Sequence, residues 1–333
     1  IQEYFYDNFI GSPSNSKKNI LYLDLLGKKN AMPLALFAMQ KPTPYLMHQY
    51  LFRYDSVDSF RSAVEKELDP YKDWPDDLII SSEQFQSRLL NDSDLDALFS
   101  CIHAHLAPAK IFVVMYVRNQ LDLILSLESE AIKAGKKTWQ ISRKPWENPY
   151  YDNLCSHFSS IQRWQRFVGE RNVILKSFDY EATNNNLVNS FMRSVSLIPS
   201  DEAIPSVKRK NESMCFHALV VRSMINNRLI DLYGISKSKM AEFQFINPRL
   251  IECFGTSGGR LKLPADVAED VKNYYAYQNE MAEAFAGNSL YKWPDREKLC
   301  SDEQHDLATL IPPSCEDVSR LVADVAGHLY NKR

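Results

Sequence analysis

KIFVVMYVRNQLDLILSLESEAIKAG, residues 110–135, is the stretch on which the reading of the fold turns. Its first part, 111–117, is a short unbroken apolar run rich in β-branched residues, the pattern of a strand buried on both faces of a parallel sheet. Arg118 and Asn119 follow at once, and the period then changes. Leu121, Ile124, Leu125 and Ile132 recur at helical spacing. Lys133 and Gly135 stand where a helix C-terminus favours a cation and a left-handed residue. Arg118 therefore falls at the carboxyl end of a strand, where open α/β sheets bind ligands. Ser126 lies about two turns into the helix. A guanidinium and a helix hydroxyl converging on one phosphate is one reading of this pair. A surface charge and a solvated hydroxyl is the other.

Outward from this stretch, 77–82 (DLIISS) reads as a strand neighbouring 111–117, with Ser81, Ser82 and Glu83 at its carboxyl end. Residues 19–25 (NILYLDL) and 172–177 (NVILKS) read as further strands, and Phe178, Asp179 and Tyr180 lead out of the latter. Helical periodicity predicts helices over 1–10, 33–40, 45–68 with a break and cap at Asp55 or Ser56, 95–106, 151–167, 187–195, 213–232, 264–286 and 315–330. Alternating strands and helices imply an α/β fold, three-layer, with a mostly parallel sheet and helices on both faces. We read 1–333 as a single domain, with a core over 1–293 and a polar segment and helix over 294–333.

The chain has 333 residues with an apolar content of 45%, which is globular, and a net charge of −3. That balance argues against a nucleic-acid partner, because an extended phosphate-binding surface is basic. No apolar run reaches transmembrane length, and no charged-then-apolar leader is present. The six cysteines are widely spaced with no C-x-x-C pair. Most read as core residues, and the compartment reads as reducing, so the expected location is cytoplasmic. His103 and His105 point to different helix faces, and no metal site is expected. Trp139, Trp146 and Tyr150 lie in a Pro- and aromatic-rich stretch that suits either sugar stacking or the packing of a loop.

Two passages carry a resemblance. Arg118-Asn119-Gln120-Leu121-Asp122 with Ser126 resembles the second nucleotide motif of the sulfotransferases that use 3'-phosphoadenosine 5'-phosphosulfate. Gln120 stands where that family often has Pro. Residues 253–260 (CFGTSGGR), with Pro264 after them, resemble the C-G-x-S-x-G-R…P loop of heparan sulfate sulfotransferases. Consecutive glycines allow positive φ and bring backbone N–H groups close to an anion, and Arg260 adds a fork of donors. A Gly-Gly-Arg passage standing alone is most often an ordinary turn. The resemblance implies a sheet of the P-loop nucleotide-binding type, with Arg118, Ser126, Ser257, Gly259 and Arg260 on the donor nucleotide. Gly258 replaces the usual Lys there. It also implies a carbohydrate or small-molecule acceptor and no metal.

Ser81, Ser82 and Glu83 resemble the Ser-Ser-Glu of bacterial carbohydrate sulfotransferase-like proteins. Glu83 becomes the candidate general base, since an acceptor hydroxyl is a poor nucleophile until its proton is removed. The plainer role is a first-turn helix acid behind a Ser82 N-cap. The family's first nucleotide loop, rich in Gly, Ser and Thr, precedes a helix that often begins Ile-Gln, so it would lie upstream of Ile1. Relatives carry a His near Ala31. A catalytically inactive, glycan- or partner-binding relative is the alternative reading, to which Ala31 and Gly258 lean. A nucleotide kinase on the same fold is a third, and the chain holds no G-x-x-x-x-G-K-[ST] to favour it.

Overall fold

The computed structural model describes residues 2, 5, 7, 20–27, 30–41, 53–108, 110–137, 142, 144–184, 186–197, 214–254, 259–293, 300, 301 and 327. Gln2, Phe5 and Asp7 are helical. The elements that follow are β1 (Ile20–Tyr22), α1 (Met32–Ala38), α2 (Val57–Leu68), β2 (Asp77–Ile79), α3 (Glu83–Arg88) and α4 (Asp92–Leu106). Next come β3 (Val113–Val117), α5 (Gln120–Lys133), α6 (Pro149–Cys155), α7 (His157–Val168), β4 (Val173–Ser177), α8 (Phe178–Thr183) and α9 (Leu187–Ser194). The last are α10 (Phe216–Asp231), α11 (Ile246–Phe254), β5 (Leu263–Pro264), α12 (Ala265–Tyr274), α13 (Ala276–Ala286) and β6 (Cys300–Ser301). The chain is mixed α/β and mostly helical.

It divides into two compact units, each discontinuous in sequence: Ile1–Arg118, Asp152–Lys208 and Tyr277–Lys292 form one, and Asn119–Tyr151, Arg209–Ala276 and Trp293–Arg333 the other. One boundary falls between Arg118 and Asn119, inside residues 110–135.

In the first unit the strands pair in parallel, β1 with β2 and β3 with β4. The expected neighbour of 111–117 is the strand over 77–82; among the described residues that strand, β2, pairs with β1 instead. Local sequence carries each strand's own pattern and not the identity of its partner. β3 also departs from burial on both faces. Met115 and Val117 are buried, while Val113, Val114 and Tyr116 are half-buried. The Tyr116 hydroxyl accounts for part of this, since it donates to the Leu187 carbonyl at 3.2 Å. Beside β1 and β2, Phe5, Ile20, Tyr22, Ile79 and Met192 form one buried cluster. Phe5 stacks on Tyr22 and meets Phe191 edge-on, so the helical spacing of the first residues places an aromatic in the core.

The start of α2 follows the expected chemistry. Ser56 caps α2 in a reciprocal box with Ser59: the Ser56 hydroxyl accepts from the Ser59 N–H at 3.0 Å, and the Ser59 hydroxyl accepts from the Ser56 N–H at 3.0 Å. Ser56→Ala is expected to cost about 1 kcal/mol, read as a lower urea midpoint with an unchanged slope. The helix expected over 151–167 is two helices, α6 and α7, broken at Ser156. The hydroxyl of Ser156 does not cap α7. Gln278 of α13 does so instead, its side-chain oxygen accepting from the Ser159 N–H at 3.0 Å. That satisfies one of the donors every helix start leaves open.

In the second unit α5 is the centre. Leu121, Ile124, Leu125 and Ile132 are all buried, as the periodicity requires. Asn119 caps its start, its side-chain oxygen accepting from the Asp122 N–H at 2.9 Å. At the other end Gly135, with φ +113°, donates to the Ile132 carbonyl, and Lys136 donates to the Ala131 carbonyl. These two bonds make a Schellman motif. Asn226 of α10 adds two bonds of 2.8 Å from its amide to the Ile132 and Lys136 carbonyls. Glu128, 2% exposed, is paired with Lys136 and accepts from the Tyr151 hydroxyl at 2.8 Å, so its buried charge is compensated. The helix expected over 264–286 is again two, α12 and α13, interrupted at Tyr275. Of the helix expected over 315–330, only Gly327 is among the described residues, and it is helical.

Candidate functional site

The first unit holds Arg118 and Glu83. Val117 pairs with Ser177 in the β3–β4 ladder, so Arg118 and Phe178 leave adjacent parallel strands at the same level. The Ser177 hydroxyl accepts from the Tyr180 N–H at 3.3 Å and starts α8, which puts Asp179 in its first turn. There the Arg118 Nε–H donates to Asp179 Oδ1 at 3.2 Å. The guanidinium carbon also lies 5.6 Å from the centre of the Phe178 ring, within cation–π range. The Arg118 side chain is 29% exposed and Asp179 14%. A carboxylate thus engages the Nε edge of the arginine expected to bind phosphate, and an aromatic ring lies against it.

Glu83 is the first residue of α3 and is exposed. Ser82 caps that helix, its hydroxyl accepting from the Gln84 N–H at 3.2 Å. The Glu83 carboxylate accepts from the Gln84 side chain at 3.0 Å. The cap-and-first-turn-acid arrangement is therefore present in full. Ser81 is engaged at both its groups: its carbonyl accepts from the Ala31 N–H at 2.9 Å and its hydroxyl from the Gln2 amide at 3.3 Å. Tyr22 also bonds Ser81, and burial pushes its phenol up to about 12. Ala31 itself is fully buried.

The second unit holds the remaining candidates. Ser126 is half-buried on α5. Gly259 and Arg260 are exposed. Gly259 has φ +67°, and its carbonyl accepts from the Phe216 N–H at 2.9 Å, so the turn is tied to the first residue of α10. A Cβ at Gly259 would meet nothing within 4 Å; only the backbone angle calls for glycine there. Ser257 and Gly258 lie outside the described residues, as does Trp139. Trp146 stacks on Tyr274, with ring centres 4.9 Å apart, which fits the loop-packing reading of that aromatic.

An open cleft of about 600 Å³ elsewhere in the first unit is lined by Asp24, Lys66, Glu67 and Tyr71. None of the candidate residues lines it. Among the described residues no group of three His, Cys, Asp or Glu is placed to hold a metal, and no helix is long and apolar enough to cross a membrane. Cys101, Cys155 and Cys215 are buried, as expected of core residues, while Cys253 is half-buried; burial pushes Cys101 up to about 12.

Asp179 and Phe178 are the site residues that sequence reasoning passed over. Their signal was the Phe-Asp-Tyr leaving a strand pattern. Arg118 leaves its own strand in the same way, but nothing local says that the two strands are partners. No family model, curated protein or solved structure matches the chain.

Proposed function

We propose that this chain transfers a sulfuryl group from 3'-phosphoadenosine 5'-phosphosulfate to a hydroxyl, or an amine, of a carbohydrate or small molecule. The observation that carries the proposal is the position of Arg118, one residue past the end of a parallel strand and held there by Asp179 and Phe178. That is where α/β proteins present cations to ligand phosphates. The resemblance of residues 118–126 and 253–260 to sulfotransferase motifs supplies the choice of nucleotide.

The chemistry asks little covalent work of the protein. An in-line displacement through a loose transition state depends on positioning and charge stabilisation. Arg118 would hold the donor's 3'-phosphate, and Ser126, Ser257, Gly259 and Arg260 are donor contacts that the resemblance alone implies. Glu83 accepts the acceptor's proton as the acceptor atom bonds to sulfur and the S–O bond to the donor breaks, its electron pair leaving on the donor's 5'-phosphate. The inactive, binding-only relative is the second reading. It is favoured by the burial of Ala31 and by the engagement of Glu83 with Gln84.

Titration calorimetry with adenosine 3',5'-bisphosphate tests the first reading. Arg118→Ala is expected to weaken binding about 10- to 150-fold, or roughly 1.5–3 kcal/mol, the worth of a charge-assisted contact. Equal affinity in both proteins, or no binding by the parent chain, removes Arg118 as the phosphate group and the proposal with it.

A further inference from the structure

We infer that Arg222, Asn226 and Asn247 of the second unit form a buried seat for a small oxyanion that carries a proton of its own, of the hydrogen phosphate or bicarbonate class. None of the three belongs to the nucleotide reading above, so the inference stands or falls apart from it. Arg222 and Asn226 lie one turn apart on α10, and Asn247 lies in the first turn of α11. All three grip the end of α5. The Arg222 Nη2–H donates to the Lys133 carbonyl at 3.3 Å, and the Asn247 amide donates to the same oxygen at 3.4 Å. The Asn226 amide donates to the Ile132 and Lys136 carbonyls at 2.8 Å each. Because these partners can only accept, they settle which end of each asparagine is nitrogen and which is oxygen.

The clamp leaves buried polar atoms over. Arg222 is fully buried, yet its Nε and Nη1 have no hydrogen-bond partner, and neither have the side-chain oxygens of Asn226 and Asn247. A buried arginine is ordinarily paired with a carboxylate. The buried carboxylate of α5, Glu128, is committed to Lys136 and the Tyr151 hydroxyl. The end of α5 offers only the partial charge of its carbonyls, roughly half a unit. Burial, with no neighbouring charge to offset it, pulls the guanidinium down to about 10. That is still well above neutral pH, so the cation is whole.

The leftover atoms specify the ligand. The charge calls for an anion, and Nε and Nη1 each offer a proton to an anionic oxygen. The two asparagine oxygens only accept, so they call for a ligand that also donates. Sulfate at neutral pH carries no proton and cannot serve them. Hydrogen phosphate and bicarbonate each bring an O–H beside their anionic oxygens. A water molecule would satisfy the hydrogen bonds and leave the charge uncompensated. Asn247 is only half-buried, which places the way in at the start of α11.

The experiment is urea unfolding of the parent chain and of Arg222→Met at neutral pH and constant ionic strength. Chloride is replaced stepwise by inorganic phosphate, by bicarbonate or by sulfate. An anion that binds only the folded form raises the folding equilibrium constant, and about 20 mM of phosphate or bicarbonate is expected to raise that of the parent about tenfold. Arg222→Met keeps much of the volume and loses the charge and the donors, and its constant is expected to change by less than about twofold. Sulfate stabilises proteins generally by exclusion from their surface, so it is expected to move both proteins by the same factor. The larger of the phosphate and bicarbonate effects identifies the ligand. Equal responses of the two proteins to phosphate and to bicarbonate overturn the inference. So does a sulfate response that exceeds the variant's by as much as theirs. If Arg222→Met does not fold, calorimetric titration of the parent with the same three anions decides the matter. Binding of phosphate or bicarbonate without binding of sulfate supports the seat. Binding of none, or of sulfate with equal affinity, removes it.

Discussion

Gly135→Ala is expected to cost roughly 3 kcal/mol of stability, the sum of two separable terms. The first is the backbone. Gly135 sits at φ +113°, in the position after the last helical residues of α5, and its N–H closes the Schellman motif on Ile132. An L side chain at such an angle costs about 1–2 kcal/mol. The second is space. A Cβ on Gly135 would lie 2.7 Å from Met240 Cβ and 2.9 Å from its Cγ. Those atoms are close to the Met240 backbone, so the clash is not relieved by swinging the end of a flexible side chain. Overpacking of this kind costs about 1–3 kcal/mol.

Urea denaturation of Gly135→Ala, Met240→Gly and the double variant separates the terms. In the Met240→Gly background, where the Met240 Cβ is gone as well, the further cost of Gly135→Ala should fall to the backbone term alone, which makes the pair non-additive by more than about 1 kcal/mol. A loss under about 1 kcal/mol in the parent background would mean that Met240 does not pack over this turn.

That glycine was legible in the sequence because a helix stop is a local event. So were the apolar face of α5, the cap at Ser56 and the cap at Ser82, each written within four or five residues of its own position. The breaks at Ser156 and Tyr275 were not. Apolar periodicity runs through both, and in the first case the open donor is satisfied by Gln278, which is distant in sequence. Strand partnership was illegible for the same reason. β3 shows its apolar run, but that β4 pairs with it, and β2 with β1, depends on the folded arrangement of the chain. The Arg118–Asp179 contact inherits this illegibility, since it exists only because those two strands are neighbours. The candidate site thus divides by range. Arg118 could be singled out from its position after a strand; what holds it could not. Glu83 presents the reverse lesson. Its local role behind Ser82 is fully written in the sequence and fully made in the structure, so any catalytic role has to come from chemistry that the fold alone does not display.

The first unit is expected to lose about 3 kcal/mol of stability between pH 6.5 and pH 4 through one residue, His157. His157 opens α7 and is 4% exposed. Its Nδ1 lies 2.8 Å from the Tyr291 hydroxyl, and the two rings stack with centres 5.5 Å apart. Burial lowers its pKa from the ordinary 6.5 to about 4. Burial, and then the charge of Glu283, raises the phenol of Tyr291, which stays neutral throughout. The direction follows from proton counting. Above pH 6.5 neither the folded nor the unfolded chain protonates this histidine, and its stabilising effect is complete. Between 6.5 and 4 the unfolded chain takes up a proton that the folded chain refuses, so stability falls by up to about 1.4 kcal/mol per pH unit. Below pH 4 both forms carry it and the loss levels off.

What the proton would disrupt is specific. Tyr291 follows α13, and Glu283 accepts from the Leu290 N–H at 2.8 Å and from the Ser289 hydroxyl at 3.0 Å, so the segment carrying Tyr291 is folded back on that helix. Carboxylates elsewhere also titrate as the pH falls, and a parent curve alone cannot be assigned to His157. The comparison is therefore with His157→Gln, which keeps a polar group and cannot be protonated. Unfolding free energies are measured in urea at half-unit steps from pH 7 to pH 4. The variant is expected to be less stable at pH 7 and to fall less steeply, so that the two curves converge by about 3 kcal/mol at the acid end. Parallel curves would show that His157 carries its proton in the folded chain, and that the ring stack with Tyr291 accommodates a charge that its burial argues against.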